Sequence, residues 1–192
     1  MHIPIEVSAR HIHLTAADIA VLFGEGYILG KHRVISQPGQ FSSVEKVIIK
    51  GPKGEMAGVR VVGPARKKTQ VELSMTDCRT LGVEAMLRVS GDLTGTPGGV
   101  TIIGPKGEIT LIEGVIVPQR HLHIEPEYAE ALGLTHGDTI AVKVEGERAV
   151  TLHNVAVRSR EGIDALALHI DTDEGNTAGV IKPTYASFIG KE

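Results

Sequence analysis

Tryptophan is absent from this chain of 192 residues, aromatic residues make up only 3% of it, and there is a single cysteine. One cysteine excludes an intrachain disulfide framework and fits a reducing compartment. Cys78 itself reads as a small buried hydrophobe rather than as a nucleophile. No uncharged apolar run is long enough to span a bilayer, so no membrane segment is expected. The first residues, Met1 to Val7, carry neither a basic flank nor an unbroken apolar stretch, which argues against a secretory signal. Charge of one sign is also lacking: 20 Lys and Arg stand against 23 Asp and Glu. That balance gives no general reason to expect a nucleic-acid partner, although a local basic pocket for a small phosphate compound is compatible with it.

What is abundant is glycine, 23 residues, among short runs rich in Val and Ile. Strand character recurs at Val44 to Lys50, Gly58 to Val62, Ala85 to Ser90, Gly99 to Ile103, Glu108 to Val117, Thr139 to Val144 and Ala149 to Arg158. Gly-Pro, Gly-Asp and Glu-Gly steps separate these runs, a pattern of barrels or sandwiches rather than of βαβ units. The fold class expected from the residues is all-β with a few short helices.

Three helices are signalled locally. Segments opening at Thr15, Thr76 and Glu125-Pro126 have capping hydroxyls, an early proline or acidic first turns, and Gly24, Gly82 and Gly133 close them. These are the residue types that helix termini favour.

The same segments form an internal repeat. Arg10-His-Ile-His-Leu matches Arg120-His-Leu-His-Ile, and a diverged copy runs Thr69-Gln-Val-Glu-Leu. Aligned on the leucine near each helix end, His11, Gln70 and His121 share one position, and His13, Glu72 and His123 share another. A second echo, Gly-Pro-Lys-Gly at 51–54 and 104–107, reads as hairpin turns whose lysines are solvated unless they contact a phosphate.

Four of the nine histidines lie in the two Arg-His-x-His frames. Residues i and i+2 of a strand share a face, so each pair offers two imidazoles to one ion. Two imidazoles underfill a catalytic zinc shell, and further ligands are required. Glu72 is the natural oxygen ligand because of its place in the repeat. His169 ends an apolar approach and precedes Asp171, Asp173 and Glu174, which either order histidine ligands or cap the next turn. The spacing there lacks the full calcium-loop pattern. Imidazole-rich sites favour zinc, cobalt or nickel, with zinc the default for transfer or hydrolysis. Arg66, close before the third repeat, is placed to hold an oxyanion if it is not simply a surface residue. Residues alone thus support a metalloenzyme and leave hydrolysis, isomerisation and group transfer open.

Four stretches together choose among these. Val7-Ser-Ala-Arg-His-Ile-His-Leu14, Gly63-Pro-Ala-Arg66 with Glu72, Gln119-Arg-His-Leu-His123 and His169-Ile-Asp-Thr-Asp-Glu-Gly-Asn-Thr-Ala-Gly179 resemble the phosphotransacylases of the propanediol-microcompartment type, the phosphate propanoyltransferases. The resemblance implies interconversion of acyl-CoA plus phosphate with acyl phosphate plus CoA, the acyl group being acetyl or propanoyl. It implies two zinc ions, one on His11, His13 and Glu72 and one on His121, His123 and His169. It implies Arg66 as the phosphate-positioning residue, and Ser8, Arg33, Arg60 and Asn176 beside coenzyme A. A zinc-dependent acyl-CoA or ester hydrolase is the alternative activity.

The family fold looks like two small β-barrels with short capping helices, the first strand packing with the C-terminal barrel. The expected division is residues 1–9 plus 119–192 as one barrel and 10–118 as the other, with an insertion over about 24–44 and the active site drawing one ligand set from each. A homodimer is expected. The start of the chain leaves no room for a microcompartment-targeting extension, which gives a cytoplasmic enzyme as the expectation.

Overall fold

The computed structural model describes residues 2–181 and 183–192. The described residues divide into two compact units: the first from Met1–Ser8, Ser36–Gly39 and Gln119–Glu192, the second from Ala9–Ile35 and Gln40–Pro118.

Within the second unit the chain runs β2 (His11–His13), α1 (Ala16–Phe23), β3 (Lys31–Val34), β4 (Phe41–Lys50), β5 (Glu55–Gly63), β6 (Gln70–Glu72), α2 (Met75–Leu81), β7 (Leu87–Arg88), β8 (Val100–Ile103), β9 (Glu108–Leu111) and β10 (Val115–Pro118). The first unit holds β1 (His2–Ser8), β11 (His121–His123), α3 (Pro126–Ala131), β12 (Thr139–Val144), β13 (Val150–Arg158), β14 (Ala167–Asp171), α4 (Thr172–Ala178) and β15 (Tyr185–Lys191).

Only the first unit closes. Its six strands form a barrel in the order β1-β14-β11-β13-β12-β15, and β1 closes it by pairing parallel to β14 and antiparallel to β15. The second unit is an open sheet ordered β7-β10-β6-β2-β5-β4-β8-β9, with β3 paired to β4. This corrects the expectation of an all-β fold with two small barrels: there is one closed barrel and one open sheet, and four helices are present among the described residues. Alternation and turn residues report that strands exist, but closure depends on whether distant first and last strands meet, which no local signal carries. Helices of six to eight residues are likewise too short for a periodicity signal and announce themselves only by their caps.

The Thr15 cap of α1 is built as the sequence suggests, whereas α2 opens at Ser74 rather than Thr76 and Glu125 makes no side-chain cap bond to α3. Thr15 Oγ1 accepts from the Asp18 amide at 3.0 Å. Ser74 with Asp77, and Asp171 with Glu174, form reciprocal capping boxes. Gly82 and Gly179 close α2 and α4 in the left-handed region, whereas Gly24 combines φ 115° with an extended ψ of 156°. The Gly-Pro-Lys-Gly turns have a structural task. Lys53 N donates to Leu81 O at the end of α2, and Lys106 N donates to Leu22 O in the last turn of α1, at 2.9 and 3.0 Å. A Cβ on Gly51 or Gly104 would fall 2.3 or 2.5 Å from those same carbonyl oxygens, so only glycine allows this approach. Each turn therefore satisfies a helix carbonyl that would otherwise lack an intrahelical donor.

Each unit has its own apolar core. Ile12, Leu22, Ile49, Val61, Val71, Leu73, Leu81 and Ile102 anchor the open sheet and its helices. Ile3, Leu122, Ile124, Ile140, Val142, Val155, Leu168 and Ile170 fill the barrel. Ile12, Val71, Leu122 and Leu168 are the buried neighbours of the polar residues considered next, so burial of the core side fixes which face those residues present. No helix among the described residues is long and apolar enough to cross a membrane.

Candidate metal centres

The four strand-to-helix connections share one construction. A short strand ends two residues before a helix N-cap, or at the N-cap itself in β14, and a candidate ligand sits two residues before that cap: His13 before Thr15, Glu72 before Ser74, His123 before Glu125, His169 before Asp171. Within each unit two such strands pair antiparallel. The registers correspond: His11 faces Glu72 on β6, and His121 faces His169 on β14.

In the second unit this brings His11, His13 and Glu72 together, with one ligand atom from each within 4.8 Å of the others. The Nε2 atoms of His11 and His13 lie 3.5 Å from the two Glu72 oxygens. Backbone carbonyls hold the opposite ring nitrogens, Ala9 O on His11 Nδ1 at 2.9 Å and Val62 O on His13 Nδ1 at 3.1 Å. Ser90 Oγ donates to Glu72 Oε1 at 2.8 Å, and the Gln70 amide also donates to that oxygen. Burial pushes the His13 imidazole down to about 4, assisted by the charges of His11 and Arg66. Burial works against ionisation of Glu72, but the adjacent His11 charge, the His13 hydrogen bond and charge, and Ser90 outweigh it and hold the carboxyl well below its usual range. At neutral pH His13 is therefore a neutral imidazole and Glu72 a carboxylate.

In the first unit His121, His123 and His169 form the corresponding set, again within 4.8 Å. Their ring centroids are 4.8 to 5.2 Å apart. Gln119 O holds His121 Nδ1 at 2.8 Å, and Asp164 Oδ1 holds His123 Nδ1 at 2.5 Å. Asp164 is gripped in turn by Arg160 through two hydrogen bonds of 2.8 and 2.9 Å. Burial drives His123 down to about 3, reinforced by the charges of His121 and His169. Asp164 stands at about 2, because Arg160 and His123 overcome the penalty of burying its charge.

The donor sets fit a divalent transition ion. Three-ligand shells of imidazole and carboxylate, with outer oxygens fixing the far ring nitrogens, are what catalytic zinc sites require.

Arg66 is half-buried in the second unit. Its backbone amide donates to Leu14 O at 2.8 Å, its guanidinium donates to Gln40 Oε1 at 3.3 Å, and its charge is felt at His13. Arg60 lies opposite His11 on β5 and donates to Ser43 O at 2.6 Å. Arg33 is exposed on β3, paired with Ser42. Ser8 and Asn176 belong to the other unit, Ser8 facing Asp171 across β1 and β14, and Asn176 exposed on α4. Asp171 and Glu174 serve as a helix cap, with Glu174 also paired to Arg120 at 2.7 Å, so the capping alternative describes them.

Several outer residues escaped the sequence reading. Asp164, Ser90, Glu6 and Ser36 lie far along the chain from the rings or carboxylate they touch, and no motif marks them. His169 was legible in a stronger form than the repeat suggested. Aligned on Gly82 and Gly179, Glu72 coincides with His169, Ser74 with Asp171 and Asp77 with Glu174, so the α4 segment is a fourth copy.

Known proteins bear on this geometry. The family model described as phosphate propanoyltransferase matches residues 4–181. The chain is 50% identical to the phosphate propanoyltransferase of Citrobacter rodentium, over 94% of this chain and 85% of the relative. It is 46% identical to that of Rhodobacter capsulatus (93% and 82%) and 49% identical to that of Thermotoga maritima (90% and 81%). Matches of this extent and identity, over a chain that carries both ligand sets, establish that it belongs to the phosphate propanoyltransferase family.

Proposed function

We propose that this chain is a phosphate acyltransferase that interconverts acyl-CoA and inorganic phosphate with acyl phosphate and CoA, using zinc in both ligand sets and accepting acetyl or propanoyl groups. The observation that carries this reading is the family match across residues 4–181, in a chain whose two ligand sets, each with two buried members and one half-buried, have the donor chemistry of catalytic zinc.

In the forward direction a phosphate oxygen attacks the thioester carbonyl carbon, the carbon–sulfur bond breaks, and CoA leaves as thiolate. Bound zinc supplies a Lewis acid suited to thiolate and to oxyanion charge. His11, His13 and Glu72 hold one ion, and His121, His123 and His169 hold the other. Arg66 binds phosphate through its planar fork of donors, which fixes the attacking oxygen and offsets the dianion's charge. Ser8, Arg33, Arg60 and Asn176 contact coenzyme A.

No protein nucleophile is needed. Cys78 is 1% exposed and packed in the core of its unit, unsuited to carrying an acyl group. Transfer is therefore direct between the two substrates. The working assembly is a homodimer in the cytoplasm, testable by light scattering and by fractionation.

The test is thiol release from acetyl-CoA and propanoyl-CoA with and without phosphate, with acyl phosphate trapped by hydroxylamine. Phosphate-dependent release with matching acyl phosphate is expected. Equal release without phosphate would make the chain a hydrolase.

A further inference from the structure

Each of the five candidate ligand histidines has one ring nitrogen held by a protein oxygen. In four of them that nitrogen is Nδ1: His11 by Ala9 O, His13 by Val62 O, His121 by Gln119 O and His123 by Asp164 Oδ1. His169 reverses the pattern. Its Nε2 lies 3.3 Å from Glu6 Oε2 and 3.4 Å from Ser36 Oγ, and no hydrogen bond to its Nδ1 occurs among the described residues.

Strand register explains why Glu6 is there. Glu6 faces His169 across the parallel pair β1 and β14, and His121 faces His169 from the other side across β11. Directly opposed residues of neighbouring strands share a face, so Glu6, His169 and His121 make one row on the barrel wall.

Ser36 and Gln37 brace the outer partners of this set. Ser36 Oγ donates to Glu6 Oε2 at 2.9 Å. Gln37, only 2% exposed, donates to Ala165 O at 3.1 Å and accepts from Ala165 N at 3.2 Å, next to the Asp164 that holds His123.

We infer that His169 presents Nδ1 to the second ion, and that Glu6, fixed by Ser36, is the positioning carboxylate that accepts from its Nε2–H. Glu6 thus does for His169 what Asp164 does for His123. This rests on the metal reading above and adds a ligand atom and a residue to it. A carboxylate in this place also raises the basicity of the ligating nitrogen, which strengthens metal binding.

The experiment uses zinc-loaded protein labelled with 15N-histidine, together with chelator competition at each set. Long-range nitrogen–proton spectra should show four rings bound through Nε2 with protonated Nδ1, and His169 alone bound through Nδ1 with protonated Nε2. Glu6→Ala should weaken zinc at the second set about 10–100-fold and leave the first set unchanged, which serves as the internal control for folding. Glu6→Gln, whose amide oxygen still accepts, should lose less. Nε2 ligation by His169, or unaltered second-set affinity in Glu6→Ala, overturns the inference while leaving the metal reading intact. Protein that takes up no zinc overturns both.

Discussion

Glu72 and His169 hold the same register position in two different sheets: Glu72 is opposite His11 on antiparallel neighbours, and His169 is opposite His121 in the same way. Each lies two residues before an N-cap whose side chain forms a capping box with the third helical residue. One supersecondary unit, used twice per set, thus delivers three ligands, and the change from carboxylate to imidazole at this position distinguishes one set from the other. The Glu72 set is the harder oxygen-containing one, and replacing Glu72 by Gln should remove zinc from it alone, leaving about half the metal content by plasma emission.

His123→Ala should abolish zinc at the second set together with turnover, because a three-ligand shell loses a member. Metal analysis of the same preparation checks this. Full zinc content in the variant would show the assignment to be wrong.

Asp164→Asn removes a charge that both Arg160 and His123 depend on. Its carboxylate is fully buried, so the variant leaves Arg160 without its ion-pair partner. A lower Tm is expected, alongside second-set zinc affinity reduced roughly 10–100-fold. Differential scanning fluorimetry and chelator competition read the two effects separately.

Arg66→Ala should lower kcat/KM for phosphate by roughly 10²-fold, the scale seen when one charge-stabilising donor is removed from an active site. Zinc stoichiometry should be retained, since Arg66 is outside both sets. Phosphate kinetics identical to the parent would reject its role.

Acid should destabilise the metal-free protein in a defined window. His13 and His123 stand at about 4 and about 3 when folded, below the ordinary 6.5. Between those values the unfolded chain binds more protons, so stability falls with pH from about 6.5 down through the folded values. Asp164, at about 2, extends the loss below pH 3.8. Tm measured from pH 7 to pH 4 on chelated protein checks the first part of this decline, and a flat profile would contradict it.

Much of the candidate site was legible because it is local. The spacing of His11 and His13, of His121 and His123, and the cap chemistry after each strand are all encoded within a dozen residues. The repeat made Glu72 visible, and a fourth alignment through Asp171 and Glu174 would have placed His169 beside it. Closure of one sheet and not the other was hidden, because it turns on β1 reaching β14 and β15 from the opposite end of the chain. Strand β3, within the segment read as an insertion, was hidden for a different reason: its four residues are all exposed, so no alternation marks them. The outer residues Glu6, Ser36, Ser90 and Asp164 were hidden as well, since one acidic or hydroxyl side chain looks like any other until the fold brings it to a ring nitrogen or a carboxylate.

The most direct measurement is acyl phosphate formation by one preparation assayed with its metal, after exhaustive chelation, and after zinc is restored. Two zinc ions per chain, loss of phosphate-dependent turnover on chelation and its return with zinc are predicted. Undiminished acyl phosphate synthesis by rigorously metal-free protein would contradict the account.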